Sequence, residues 1–198
     1  NSRSPEKVVE EIDFLISNYQ VEHIWFCDDI FGLKPGWIKR FSELVVGKNL
    51  QFKFKIQCRA DLLLDDENIQ HLANAGCDEI WIGAESGSQK ILDAMDKGTT
   101  VKQIYTATRL MQKHGIKPCL FLQFGYLDEL QTDIDLTIKM VFDLMPYDIG
   151  VSVSYPLPGT KIKKKVKSQL QIKQNWSDSD ELLLMYKSTY SPAYYKQL

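Results

Sequence analysis

The 198-residue chain has no CxxC or CxxxCxxC motif, and its three histidines stand far apart at positions 23, 71 and 114. A closed zinc or iron–sulfur site built from one local motif is therefore excluded. No glycine-rich GxGxxG follows an apolar run, no P-loop is present, and a GxSxG elbow at Ser86 fails because Ala84 stands where glycine is needed. Long hydrophobic runs are also missing: the best candidate, Cys119 to Leu127, contains Gln123 and Gly125. A membrane-spanning helix would need roughly 18 apolar residues in a row. There is no excess of positive charge either, since 24 lysines and arginines against 26 aspartates and glutamates leave a net charge of −2. That balance argues against a dedicated nucleic-acid binder. The start shows no basic stretch leading into an apolar one, so no signal peptide is read. It opens on Asn1, as a piece of a longer protein would.

What is present is an ordinary globular composition, 44% apolar and 25% charged, at the length of one domain or one domain plus a tail. Helical and strand periodicity alternate along it. Ser4-Pro5 opens a helix carrying Val8, Val9, Ile12, Leu15 and Ile16. The run Ile24 to Cys27 reads as a strand, and Pro35 to Val46 as a helix facing inward through Trp37, Phe41, Leu44 and Val45. Phe52 to Cys58 is a second strand, followed by a helix capped by Asp65 and stopped by Gly76. Ile80 to Gly83 is a third strand. Thr100 and Gln103 form a capping box for the next helix, which ends at Gly115 before a fourth strand, Ile116 to Phe124. Thr132 is expected to cap a helix burying Ile134, Ile138, Val141, Phe142 and Met145, and Ile149 to Ser154 is the fifth strand. Strand starts near 24, 53, 79, 116 and 149 are spaced as βα repeats. The fold class expected is therefore α/β, a TIM-barrel-like partial (β/α) barrel of five parallel strands in sequential order.

In such folds ligands bind at the carboxyl ends of the strands. Those ends carry Asp28-Asp29, then Arg59 and Asp61, then Gly83-Ala84-Glu85-Ser86-Gly87, then Gln123, Gly125, Asp128 and Glu129, and finally Ser154 to Thr160. Polar groups gathered on one rim point to a ligand; the plainer reading is that the acids cap the helices that follow. The four cysteines, at 27, 58, 77 and 119, read as buried free thiols in a reducing, cytoplasmic setting. Five lysines within 161–167 read as an anion or nucleic-acid patch or, preferably, as a solvated helix face.

The strand ends also carry a resemblance. The runs Trp25-Phe26-Cys27-Asp28-Asp29-Ile30-Phe31, Cys58-Arg59-Ala60-Asp61, Ile82 to Gly87, Asp96-Lys97-Gly98, Gln123-Phe124-Gly125 and Tyr155 to Thr160, in that order, closely resemble the radical S-adenosylmethionine (radical SAM) superfamily. The likeness is to the branch often joined to a cobalamin-binding domain. It implies that Asp28-Asp29 occupies the place of the family's GGE motif, which holds the methionyl amino group of SAM. It implies further that Glu85 with Ser86 meets the ribose, that Arg59 lies near the same ligand, and that Lys97 pairs with the methionyl carboxylate. Gln123 and Gly125 fall on the family's fifth-strand motif, and Tyr155, Pro156 and Leu157 on the backbone that contacts adenine. Neither a catalytic residue nor a metal ligand is assigned within the chain.

Two departures stand out. Leu127-Asp128-Glu129 replaces the family's Pro-Gly-Glu, which leaves the family's turn there unsupported. The cluster loop CxxxCxxC is missing. Residues 1–167 are accordingly expected to be strands two to six of a radical SAM core, lacking its first strand and cluster loop, and 168–198 a C-terminal extension packed on it. The resemblance implies SAM as cofactor, a [4Fe–4S] cluster in the full-length protein only, cobalamin on a fused N-terminal domain, and a small-molecule substrate. With the cluster present the family cleaves SAM reductively to a 5′-deoxyadenosyl radical. Asp28, Asp29, Arg59, Glu85 and Lys97 are expected to converge, and one sheet edge to lie exposed. The competing readings are a barrel enzyme holding Mg²⁺ or Mn²⁺ on Asp28, Asp29, Asp61 and Glu85, and a non-catalytic binding module using the lysine run and the tyrosine-rich tail.

Overall fold

The computed structural model describes residues 3–170 and 184–198. Its elements, in chain order, are α1 (Pro5–Tyr19), β1 (His23–Trp25), α2 (Trp37–Gly47), β2 (Lys53–Cys58), α3 (Asp66–Asn74), β3 (Cys77–Glu85), α4 (Gln89–Ala94), α5 (Val101–Lys113), β4 (Lys117–Phe124), α6 (Gln131–Leu144), β5 (Asp148–Val153), α7 (Lys161–Val166) and α8 (Pro192–Tyr195). A short 3₁₀ turn, Ala60–Leu62, follows β2, and another, Lys167–Gln169, follows α7. The strands form one five-stranded parallel sheet in the order β1-β2-β3-β4-β5, the topology of a partial (β/α) barrel. Among the described residues no helix is long and apolar enough to cross a membrane.

Residue contacts divide the chain into two units. The first comprises residues 1–83, 102–120 and 144–148, and the second residues 84–101, 121–143 and 149–198. In the first unit the elements form where local chemistry dictates. The Ser4 hydroxyl accepts from the Lys7 amide at the start of α1, with Pro5 in the first turn; Asp65 accepts from the Glu67 amide to start α3. Along β2 the inward residues Phe54, Ile56 and Cys58 are buried and alternate with more exposed ones, the period of a strand covered on one face. β1 pairs with β2 from His23↔Lys53 to Trp25↔Lys55, and β2 pairs with β3 with a register shift at Phe54/Lys55. Phe26, Phe31, Phe41 and Phe54 meet edge-on, with Trp37 stacked on Phe41 at 5.2 Å. Such aromatic pairs add directional packing to area burial.

Three sequence expectations are corrected. The first strand stops at Trp25, so Cys27 lies outside it and is exposed. β1 is an edge strand whose His23 and Trp25 face solvent, which leaves no second layer to bury Cys27. Helix α6 begins at Gln131, so Thr132 is inside it and is not its cap. Its buried face runs through Asp133, Ile134, Thr137, Met140 and Leu144, while Phe142, and Met145 just past the helix end, are each 72% exposed. In the C-terminal stretch Leu184, Met185, Tyr186 and Tyr195 are buried; residues 171–183 of the expected extension lie outside the described residues. The lysine run forms α7, and Lys161 makes an exposed ion pair with Asp96.

Candidate ligand site

In the first unit the candidate residues lie just beyond β1 and β2. Asp28 and Asp29 are exposed, on a segment pinned at both ends: Phe26 and Phe31 enter the aromatic cluster, and the Phe31 amide donates to the Gln57 carbonyl at 2.9 Å. The two carboxylates are thus presented by a fixed backbone. Arg59 follows β2 directly and binds Asp61 through two nitrogens, at 2.9 and 3.1 Å, a fork that holds the guanidinium plane. Beside β1 lies a cavity of about 550 Å³, walled by Val8, Ile12 and Leu15 of α1 and by Trp25, Phe26 and Asp28.

In the second unit Glu85 is the last residue of β3 and has φ +57°. A non-glycine residue in the left-handed region costs energy that the surroundings must supply, and such residues cluster at functional sites. Its carboxylate accepts from Lys97 Nζ at 2.6 Å, with both side chains largely buried. Two residues singled out separately in the sequence, twelve positions apart on either side of α4, are therefore joined to each other. Ser86 is fully buried, and its hydroxyl is engaged with Thr137 Oγ1 at 3.1 Å and the Ser88 amide at 3.1 Å.

Gly87 lies hard against α6. A Cβ there would stand 2.3 Å from the Leu136 carbonyl oxygen and 2.8 Å from Thr137 Cα, all backbone that cannot swing aside. Gly87→Ala is expected to destabilise the chain by about 3 kcal/mol or more. Gly47→Ala, with nothing within 4 Å of the added methyl, is expected to be neutral or slightly stabilising. Urea unfolding of both variants checks this; coincident midpoints would refute the clash.

Gly125, just past β4, has φ +75°, and its amide donates to Glu129 Oε2 at 2.7 Å. Its carbonyl accepts from Tyr186 Oη at 2.7 Å, and Leu184 closes over its Cα. Gln123 is half-buried in β4. Where the family likeness has glycine, Asp128 adopts φ +59°, and the Glu129 amide donates to the Tyr126 carbonyl, so the turn forms without Pro-Gly. Aspartate is among the few side chains that tolerate this conformation. After β5, Pro156 is buried, Tyr155 is half-buried and Leu157 is 45% exposed, on a turn closed by the Thr160 hydroxyl donating to the Leu157 carbonyl.

Sequence reasoning missed the two residues that organise this unit, Asp133 and Thr137, and the pressure on Glu129. The Glu129 carboxyl is fully buried, and burial pushes its pKa up to about 7, with further upward push from Asp133. The available signal was polar residues standing inside the apolar stripe of a helix.

The cysteines are dispersed. Burial raises the Cys58 thiol to about 11 and that of Cys119 to about 12, and holds Cys77 well above its ordinary value. Along the β2–β3 pairing Cys77 stands opposite Phe54 and Cys58 opposite Ile82, at the two ends of the ladder. Among the described residues no group of three or more His, Cys, Asp or Glu side chains could hold a metal ion.

The chain is 26% identical over 174 residues to an uncharacterized methyltransferase of Pyrococcus horikoshii, covering 87% of this chain and 38% of that protein. It is 27% identical over 173 residues to the anaerobic magnesium-protoporphyrin IX monomethyl ester cyclase of Cereibacter sphaeroides, covering 86% and 28%. The chain thus spans little more than a third of these relatives at most. Among solved structures, the cobalamin-dependent SAM radical enzyme OxsB is 25% identical with a TM-score of 0.64, over 70% of this chain and 22% of that one. The radical SAM methyltransferase TsrM of Kitasatospora setae, solved with cobalamin and a [4Fe–4S] cluster bound, shares the fold with a TM-score of 0.76 at 20% identity, over 98% of this chain and 38% of that one. The family model described as the Radical SAM superfamily matches residues 1–141, and the chain belongs to that superfamily.

Proposed function

We propose that this chain is the SAM-binding part of a radical SAM enzyme. The observation that supports it most is Glu85, held at φ +57° on the carboxyl end of β3 with its carboxylate on Lys97, inside the stretch matched to the family. SAM is a zwitterion with a sulfonium, a ribose and an adenine, and it needs an acid, a cation and backbone polar groups to hold it. In this reading Asp28 and Asp29 take the methionyl amino group, with Arg59 near the same ligand. Lys97 takes the carboxylate, and Glu85 accepts from the ribose hydroxyls. Ser86 serves by fixing the loop, since its hydroxyl is already used. Gln123, Gly125 and the Tyr155, Pro156 and Leu157 backbone line the nucleoside end.

The cluster that supplies the electron for SAM cleavage does not fit the cysteines of this chain, three of which are buried neutral thiols. We assign it to thiolates of the full-length protein, together with a fused cobalamin-binding domain and a small-molecule substrate, in the cytoplasm. Residues 1–167 are the core in this reading and 168–198 an extension. A divalent-metal barrel is not favoured, because among the described residues no acidic group of three is placed to hold a metal.

The test is an NMR titration of the chain with SAM and, separately, with Mg²⁺. Shifts at Glu85–Ser88 are expected with SAM only. Affinity is expected near millimolar, about −4 kcal/mol, and Glu85→Gln and Lys97→Met are each expected to weaken it about tenfold or more. Shifts with Mg²⁺ and none with SAM would overturn the reading.

A further inference from the structure

Four buried side chains, Ser86, Ser88, Asp133 and Thr137, the half-exposed Lys90 and three amides of the second unit close a network in which every polar group has an assignment. Thr137, 1% exposed, donates to the Asp133 carbonyl at 3.1 Å, so its hydroxyl proton is spent. The contact between its Oγ1 and Ser86 Oγ must then be donated by Ser86. Thr137 Oγ1 also accepts from the Gly87 amide at 2.9 Å, and Ser86 Oγ accepts from the Ser88 amide. The Asp133 carboxylate, on the same helix one turn earlier, accepts from Ser88 Oγ at 2.7 Å, Lys90 Nζ at 2.6 Å and the Leu130 amide at 2.9 Å. Lys90 also donates to the Asp128 carbonyl. Burial opposes ionisation of Asp133, yet Lys90, Ser88 and the Leu130 amide hold its pKa below the usual carboxylate range.

We propose that Asp133 and Thr137 are positioning residues for ligand binding: from the first two turns of α6 they fix the Glu85–Ser88 loop in its binding geometry. The loop has no other place to go. Glu85 sits in the left-handed region at its base, and Gly87 touches the α6 backbone so closely that no side chain fits between them. Asp133 also reaches back to the Leu130 amide, three residues before it, as the second half of a capping box does. One carboxylate therefore ties the loop after β3 to the loop after β4. A fully satisfied buried network of this kind loses its geometry when one member is removed.

This inference rests on the reading of Glu85–Ser88 as part of the SAM site, and the experiment separates the two. Thr137→Val keeps the branched shape and removes the hydroxyl; Thr137→Ser removes the methyl and keeps the hydroxyl. SAM affinity by NMR titration is expected to be near wild type in Thr137→Ser and about tenfold weaker or more in Thr137→Val. A residue needed only for packing would give the reverse order. Amide hydrogen exchange at Gly87 and Ser88 is expected to accelerate at least tenfold in Thr137→Val and in Asp133→Asn, and to stay near wild type in Thr137→Ser. Equal SAM affinity in wild type and Thr137→Val overturns the proposal. If wild type binds no SAM, the functional reading falls instead, and exchange decides alone: unchanged protection of both amides in Thr137→Val overturns the clamp.

Discussion

Glu129→Gln is expected to abolish a loss of stability that the wild-type chain suffers between pH 5 and pH 8. Glu129 is fully buried, with Oε2 taking the Gly125 amide and Oε1 without a hydrogen-bond partner. The groups that bear on it are Asp133 of α6 and Lys90 of α4, with Tyr186 and Tyr195 of the C-terminal stretch also coupled to it. Burial dominates, and it raises the carboxyl from 4.5 to about 7. The folded state therefore binds this proton more tightly than the unfolded chain. The stabilisation is fully present below pH 4.5 and is lost as pH rises through 7. At 1.36 kcal/mol per pKa unit the loss across pH 5 to 8 is roughly 2–3 kcal/mol. An amide in the same place keeps an oxygen for the Gly125 amide and carries no charge. Urea unfolding at pH 5, 6, 7 and 8 should show the two proteins converge at low pH and separate at high pH, Glu129→Gln being the more stable. The exposed acids Glu6, Asp13, Asp66 and Asp96 have lowered pKa values and titrate below this window. A difference between the two proteins that does not change with pH would show that Glu129 is ionised in the folded chain at all these values.

The same region marks the limit of what the sequence discloses. All five strands were legible from short apolar runs spaced as βα repeats and separated by helical periodicity. The exception is the end of β1. An edge strand is hydrogen-bonded on one side only, so an apolar run can continue into a loop, as it does through Phe26 to Cys27. Helix α4 has six residues, too few for its buried Ile91 and Leu92 to declare a period. In α6 the largest apolar side chains suggest one face, but Phe142, and Met145 just past the helix, are exposed while Asp133 and Thr137 are buried. Hydrophobicity assigns the face wrongly there because the polar pair has partners within the fold that only tertiary structure supplies. Most candidate residues were legible as strand ends and Lys97 only by family likeness, while the ion pair between Glu85 and Lys97 was not read from the sequence at all. The ion pair spans α4, and no local spacing rule connects its two ends.

Anaerobic reconstitution of this chain with iron and sulfide is expected to yield no stoichiometric [4Fe–4S] cluster, and addition of SAM and dithionite no 5′-deoxyadenosine. A cluster is held by several thiolates brought close together. Cys58, with its pKa pushed up to about 11, must lose its proton to become a ligand, and at pH 8 that costs about 4 kcal/mol before any bond to iron forms. Cys119, at about 12, costs more, and Cys77 is raised by burial as well. Bringing Cys58 and Cys77 together would also require breaking the ladder that sets them at opposite ends of the β2–β3 pairing. Only Cys27 is exposed, and one thiol cannot hold the cluster. Iron and sulfide counts and the visible absorbance of the gel-filtered protein give the first readout, and chromatography of the SAM reaction the second. Folded chain carrying four irons and forming product would overturn the argument. Iron that disappears in Cys27→Ser, without product, is the expected behaviour of a single surface thiol. The SAM contacts assigned to Glu85 and Lys97 do not depend on this outcome. Their titration remains measurable on the cluster-free chain, where no iron can mask the loss caused by Glu85→Gln.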